Sequence, residues 1–458
     1  MENRLTEGKP FSVILRFMLP LVIGNICQQL YNLVDTIIVG RFVGPTALAA
    51  VGSTGTIMFF IVGTCTGMVT GFSIVTSQKY GAGETEEVKK SVSNGLLLSF
   101  IIILISTVVT VAVIKPVLRL MNTPDDIFDY AYDYISVICI GIFATVFYNF
   151  FSAVLRAIGN SSIPLISLII SAALNIGLDL LFIIVFELGT AGAAIATVLS
   201  QAVSALFCLI YILLRVPDLK PSRSHWRPSR RMITGELMQG IPMALQTGIT
   251  ASGTMIMQSA INLFGSIAVA GVTAASKLQM IMTQAMFTSG QTMASYVGQN
   301  YGKGDYQRIR EGIKAALKMF VVYCILAAAI TIIILPYVLP VFFEPGADIT
   351  EYLPWSRIYI VECSVCYFFL AMVFIYRSAI QAVGHGFTAM LMGVAELSAR
   401  LIMSVISMIA GSFYLAVASD PFAWVVAAML GLFIFVRLMK KIEKLSGVAT
   451  EQSRASRR

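Results

Sequence analysis

Charged side chains are scarce in this sequence. Asp, Glu, Lys and Arg make up 12% of its 458 residues, about half the share of an ordinary soluble chain. That excludes a solvated globular surface over most of the length. Histidine is nearly absent: His225 and His385 stand in separate loops, with no metal-ligand spacing. All seven cysteines fall inside apolar segments, so no extracellular disulfide framework is visible. Cys363 and Cys366 have CxxC spacing, but no second pair accompanies them, and they read as helix packing. Nucleotide motifs are missing too. In "GAGETEE" (81–87) three glutamates would repel phosphate, and "GQNYGKG" (298–304) is one residue short of a P-loop and lacks its Ser/Thr. No nucleophile stands beside a base. An enzyme and a nucleotide-driven motor are therefore not expected, and neither is a cofactor. Residues 1–13 are polar and carry no cleavage pattern, so the first apolar segment is expected to remain as a span.

What the sequence does have is apolar length. Hydrophobic residues make up 57%. Twelve runs are long enough to cross a bilayer, at 14–40, 48–78, 90–115, 130–156, 163–187, 190–215, 232–262, 267–298, 312–341, 354–383, 387–411 and 420–438. The expected fold is an all-α polytopic membrane protein of twelve transmembrane helices. Basic residues set its orientation. Lys79, Lys89, Lys90, Arg156, Lys303, Arg308, Arg310 and the basic 215–231 stretch fall on one side, while the other keeps Arg41, Lys115, Arg119 and Arg357. The positive-inside rule then puts both termini in the cytoplasm.

The chain also repeats itself. "LPLVIGNICQQLYNLVDTIIVGRF" (19–42) lines up with "IPMALQTGITASGTMIMQSAINLF" (241–264), "QKYGAG" (78–83) with "QNYGKG" (299–304), and "RAIGN" (156–160) with "QAVGH" (381–385). Six spans are used twice, giving two pseudo-symmetric lobes, 1–222 and 223–458, with 215–231 as a cytoplasmic linker. An even number of spans per copy relates the copies by an axis along the membrane normal, with a substrate site expected between them.

The repeat breaks at its acids. Asp35 aligns with Met257, Asn175 with Arg400, and Asp179 with Ser404. An acid in the middle of an apolar span is costly and marks function by default. "LNIGLDLLF" (174–182) puts Asn175 and Asp179 on one helix face. Asp35, Asp179 and Thr197 of "AIATVLSQ" (194–201) fall at similar depth in the outer half of the membrane. Two carboxylates, an amide and a hydroxyl make an oxygen-rich cluster that would hold a proton or an alkali cation. Gln28, Tyr31 and Asn32 share the face of Asp35 as a polar surround, and Pro20 permits a bend in that helix. Met255, Met257, Met280 and Met286 crowd two later spans, and flexible thioethers suit a cavity for varied substrates. Glu396 is four residues from Arg400, as in an ordinary helix-face pair.

Together "LPLVIGNICQQLYNLVDTIIVGRFVG", "QKYGAG", "LRAIGNSSIP" and "LNIGLDLLFI" make the chain resemble the multidrug and toxic compound extrusion (MATE) family over nearly its whole length. The nearest branch is the prokaryotic DinF-like and MepA-like one. That resemblance implies two six-helix bundles in a V and a secondary active multidrug exporter. Organic cations would be antiported against H+ or Na+ in a bacterial cytoplasmic membrane. It also implies a cation site at Asp35, Asn175, Asp179 and Thr197, with no other metal, and a helix-one switch at Pro20. The expected partners are small organic molecules and the bilayer, not nucleic acid or nucleotide. The alternatives are a flippase for a lipid-linked precursor or an exporter of an endogenous metabolite.

Overall fold

A computed structural model describes residues 5–121, 123–343 and 348–455, with side chains up to 444. Among the described residues there is no strand. An apolar run in a bilayer satisfies its own backbone only as a helix, and helices account for nearly everything. The first half holds α1 (Pro10–Phe42), α2 (Pro45–Gly81), α3 (Thr85–Leu120), α4 (Asp125–Ile140), α5 (Ile142–Ala157), α6 (Ser162–Leu180) and α7 (Gly189–Arg215). The second holds α8 (Arg230–Asn262), α9 (Ser266–Lys303), α10 (Tyr306–Val338), α11 (Ile349–Val365), α12 (Tyr367–Ala382), α13 (Gly386–Ala410), the short α14 (Phe413–Val417) and α15 (Ser419–Ala455).

Each of the twelve expected spans falls on one of these helices or on a bent pair. Among the described residues eight helices are long and apolar enough to cross a membrane, and the pairs α4–α5 and α11–α12, each taken as one span, bring the number to ten. The other two, α8 and α9, have 33 and 38 residues but are more polar. Glu236, Gln239 and Gln246 interrupt α8, and Lys277, Gln279, Gln284 and Gln291 interrupt α9.

The two bent pairs were not legible as breaks. α4 and α5 meet at 46°, and α11 and α12 at 49°. The breaks fall at Gly141 and Cys366, which correspond under the same shift that carries Arg156 to Gln381. At Gly141 the packing leaves no room for a side chain: a Cβ there would lie 2.2 Å from a methyl of Val198 on α7. The turns repeat as well. Gly159 and Gly384 take φ of +91° and +93°, a left-handed conformation that glycine adopts at least cost.

By its contacts the chain divides into two compact units: Leu15–Gly248, and Leu5–Ile14 with the chain from Ile249 on. In the first, α2, α5 and α7 pack around Phe72, Phe150, Val154, Leu155, Cys208 and Ile212, all nearly fully buried. Here α8 crosses α2 at very close range. A Cβ on Gly71 would lie 2.5 Å from the Gly240 backbone, and one on Gly67 would lie 2.9 Å from the Met243 carbonyl oxygen. Backbone cannot yield as a side chain tip can. Gly71→Leu is therefore expected to separate these helices, read as loss of a monodisperse peak on size exclusion, whereas Gly52→Ala, on the same helix with open space around it, leaves the peak in place. In the second unit α9 packs on α12, and α15 on α12 and α13. The segment before α1 is tied into this unit: Leu5 N donates to Gln299 Oε1 at 3.0 Å, and Arg308 Nη2 donates to the Glu7 carbonyl at 2.7 Å.

The 215–231 stretch is not a loose tether. His225 is buried, its Nε2 is 2.7 Å from Glu86 Oε2, and its carbonyl accepts from Ser93 Oγ at 2.7 Å. Ser229 N donates to Asn94 Oδ1 at 3.0 Å. Hydrogen bonds from Lys89 and His225 hold the Glu86 carboxyl below its usual range. A depressed acid contributes stability above its ordinary range and loses it as pH falls through the lowered value, so this tie persists at neutral pH. Glu86→Gln is expected to speed tryptic cleavage between 215 and 231 several-fold at neutral pH.

Candidate cation site

α6 builds one side of the site. Asn175 and Asp179, one turn apart, are both fully buried. The helix changes register just beyond them: Leu181–Val185 is a π-helical turn, with Phe186 N donating to the Leu181 carbonyl at 3.1 Å. Such turns recur at functional positions because they re-aim the preceding side chains. α1 supplies Asp35, 8% exposed. It stands near Asp179, close enough for the two carboxyl groups to feel each other's charge.

These polar atoms are not satisfied by the protein. Asp35 Oδ1, both oxygens of Asp179, and both Oδ1 and Nδ2 of Asn175 are buried without a hydrogen-bond partner. No basic side chain forms an ion pair with either acid among the described residues. An unpaired buried carboxylate is strongly unfavourable, and two near each other are worse. The arrangement calls for positive charge from outside the chain. Carboxylate and amide oxygens are hard donors, suited to an alkali cation or a proton. No cluster of three or more His, Cys, Asp or Glu occurs among the described residues, so the donor set is unlike that of a transition-metal centre.

The remaining expected residues divide. Thr197 is half-buried on α7, which packs beside α6. Tyr31 is buried and accepts from Gln201 Nε2 at 3.4 Å, and Gln28 also bonds it. Asn32 is exposed and takes no part in the cluster. Pro20 lies inside α1, ten residues after its start, so it is not a helix-start proline. Two participants were not foreseen. Gln201, 7% exposed, keeps Oε1 unpartnered. Tyr134 on α4 is buried close enough to feel the charges of Asp35 and Asp179. Gln201 could have been found, being a lone amide in an apolar run one turn after Thr197. Tyr134 gives no such signal, since tyrosines are common there. The four methionines do not share one environment: Met257 and Met286 are buried, and Met255 and Met280 are exposed.

The second unit holds a different solution. Met257 is buried where the repeat would place an acid. Arg400 on α13 donates through Nη2 to Glu396 Oε1 at 2.7 Å and through Nε to Asp420 Oδ1 at 2.5 Å. Arg377 on α12 donates to the other Glu396 oxygen at 2.6 Å. The helix-face pair read from the sequence exists, but it is the centre of a buried quartet.

A duplicated all-helical chain with bent spans and an unpaired intramembrane carboxylate pair defines a polytopic membrane transporter. The MatE family profile matches residues 20–181 and again 242–409. The chain belongs to that family, whose members are transporters and not enzymes. The two matched stretches begin at Pro20 and Pro242, the residues on which the internal repeat aligns. Among relatives, it is 30% identical over 311 residues to a probable multidrug resistance protein, YpnP, of Bacillus subtilis (strain 168), covering 66% of this chain and 68% of that one. It is 24% identical over 403 residues to a FAD transporter of Shewanella oneidensis, covering 84% and 85%. A solved transporter of the MOP superfamily from Pyrococcus furiosus superposes with a TM-score of 0.91 at 23% identity, covering 96% of this chain and 98% of that one. At that identity the likeness speaks for the fold.

Proposed function

We propose that the protein is a secondary active multidrug exporter. It antiports organic, cationic and lipophilic compounds against H+ or Na+ by alternating access between two lobes, 1–222 and 223–458. Asp35, Asn175, Asp179 and Thr197 carry the coupling ion, and Pro20 lets α1 respond to it. Of Met255, Met257, Met280 and Met286, the exposed Met255 and Met280 contribute to the substrate surface. The chain sits in the bacterial cytoplasmic membrane with both termini inside. The observation that supports this best is the burial of Asp35 near Asp179, with their carboxyl oxygens unpartnered and no base paired with either among the described residues. Two carboxyls so placed take up positive charge and release it when water reaches them, which is what ion coupling requires.

The test uses proteoliposomes preloaded with a fluorescent lipophilic cation. A Na+ gradient and a pH gradient are imposed separately. Dye movement driven by one of them is expected, and it names the ion. A second reading, export of an anionic metabolite, is favoured by the likeness to the FAD transporter. The same vesicles loaded with a flavin nucleotide separate the two. The flippase reading gains no support, because Arg377 and Arg400 are both engaged by acids.

A further inference from the structure

The two halves put a polar residue at the same register and surround it differently. Asn175 of α6 and Arg400 of α13 correspond under the shift that aligns "RAIGN" with "QAVGH". In the first half that residue stands one turn from Asp179, an acid that no base pairs with among the described residues. In the second it is itself a cation, held at 2.7 Å by Glu396 and at 2.5 Å by Asp420, with Arg377 on the far oxygen of Glu396. Two guanidiniums and two carboxylates cancel, and all four side chains are buried.

A second exchange accompanies the first. The alignment of 19–42 with 241–264 pairs Tyr31 with Gly253. Tyr31 is a buried part of the first half's polar cluster. At Gly253 a Cβ would come within 2.8 Å of Arg400 Nη1 and 3.1 Å of its Cδ. The glycine leaves the space that the guanidinium fills. The acids move in step: Asp35 and Asp179 give way to Met257 and Ser404, while new acids stand at 396 and 420.

We infer that Arg400 is a tethered cation, its guanidinium taking in the second half the place a mobile cation takes in the first. This half therefore binds no coupling ion, and ion-driven work enters through one half. The word coupling rests on the function proposed above. The tethered charge does not, and its test reads stability as well as transport.

Arg400→Ala leaves Glu396 and Asp420 facing a space the size of a guanidinium group. The purified variant is heated with guanidinium ion or with urea, a neutral molecule of the same shape, both far below denaturing concentration. Guanidinium is expected to move the unfolding midpoint back toward that of the unaltered protein and to restore transport. Urea is expected to do neither. Equal effects of guanidinium and urea, or a variant as stable as the parent without either, would overturn the inference. If Arg400→Ala does not fold, Arg400→Gln is compared with Arg400→Gln combined with Asp420→Asn, which removes one charge of each sign. The double variant is expected to be more stable than the single one, and a double variant no better than the single one would also overturn it. Should Asp35→Asn transport normally while guanidinium rescue holds, the proposed coupling site fails and the tethered cation stands.

Discussion

Asp35→Asn is expected to reduce gradient-driven export to the level of protein-free vesicles, with the protein still folded and inserted. Asparagine keeps the volume of the side chain and one of its acceptor oxygens, with a donor NH2 in place of the other. It cannot carry a negative charge or give up a proton. Asp35 is buried near Asp179, and Met257 at the corresponding place in the second half offers no substitute. Asp179→Asn should behave alike, while Asp35→Glu, which keeps the charge on a longer arm, should keep part of the activity. Dye export under each gradient checks this, with size exclusion to confirm folding. Normal export by a well-folded Asp35→Asn protein would remove these acids from the mechanism. Thermal behaviour gives an independent sign: one of two unpaired buried acids is lost, so the variant should unfold no earlier than the parent.

Glu396→Ala should do the reverse. Both oxygens of Glu396 accept from guanidiniums, at 2.6 and 2.7 Å. Removing the acid leaves Arg377 without its carboxylate and Arg400 with Asp420 alone. Breaking a buried pair in this way costs about 3–5 kcal/mol, because a desolvated charge is left uncompensated. The expected result is a large drop in the temperature at which folded monomer disappears, with Glu396→Gln less affected. An unchanged temperature would mean that water already reaches the quartet. A lost acid is thus predicted to be harmless to stability at 35 and severe at 396.

Most of the fold was legible because a long apolar run is the strongest signal a sequence carries. The helix ends were less so: α2 runs to Gly81 and α9 to Lys303, beyond the apolar stretches, since a helix can continue into water after the apolar run has ended. No local pattern along the chain announces the breaks at Gly141 and Cys366. The same division holds at the sites. Asp35, Asn175 and Asp179 stood out as polar groups in apolar surroundings, and Glu396–Arg400 as an i, i+4 pair. Arg377 and Asp420 lie about twenty residues away on other helices, and Tyr134 is polar at only one atom. Which residues are unusual can be read along the chain; which of them meet depends on packing.

The tie between Leu5 and Gln299 also sets a timetable for assembly. Leu5 is fully buried and held by Gln299 and Asn300, residues made nearly three hundred positions later. At a synthesis rate of about 5–20 residues per second, the segment waits roughly 15–60 s for its partners. Through that time α1 can insert while the stretch ahead of it has nowhere to dock. The docking of residues 5–14 therefore comes after α9 is complete, and a ribosome that stalls before Gln299 leaves the beginning of the chain open to proteases.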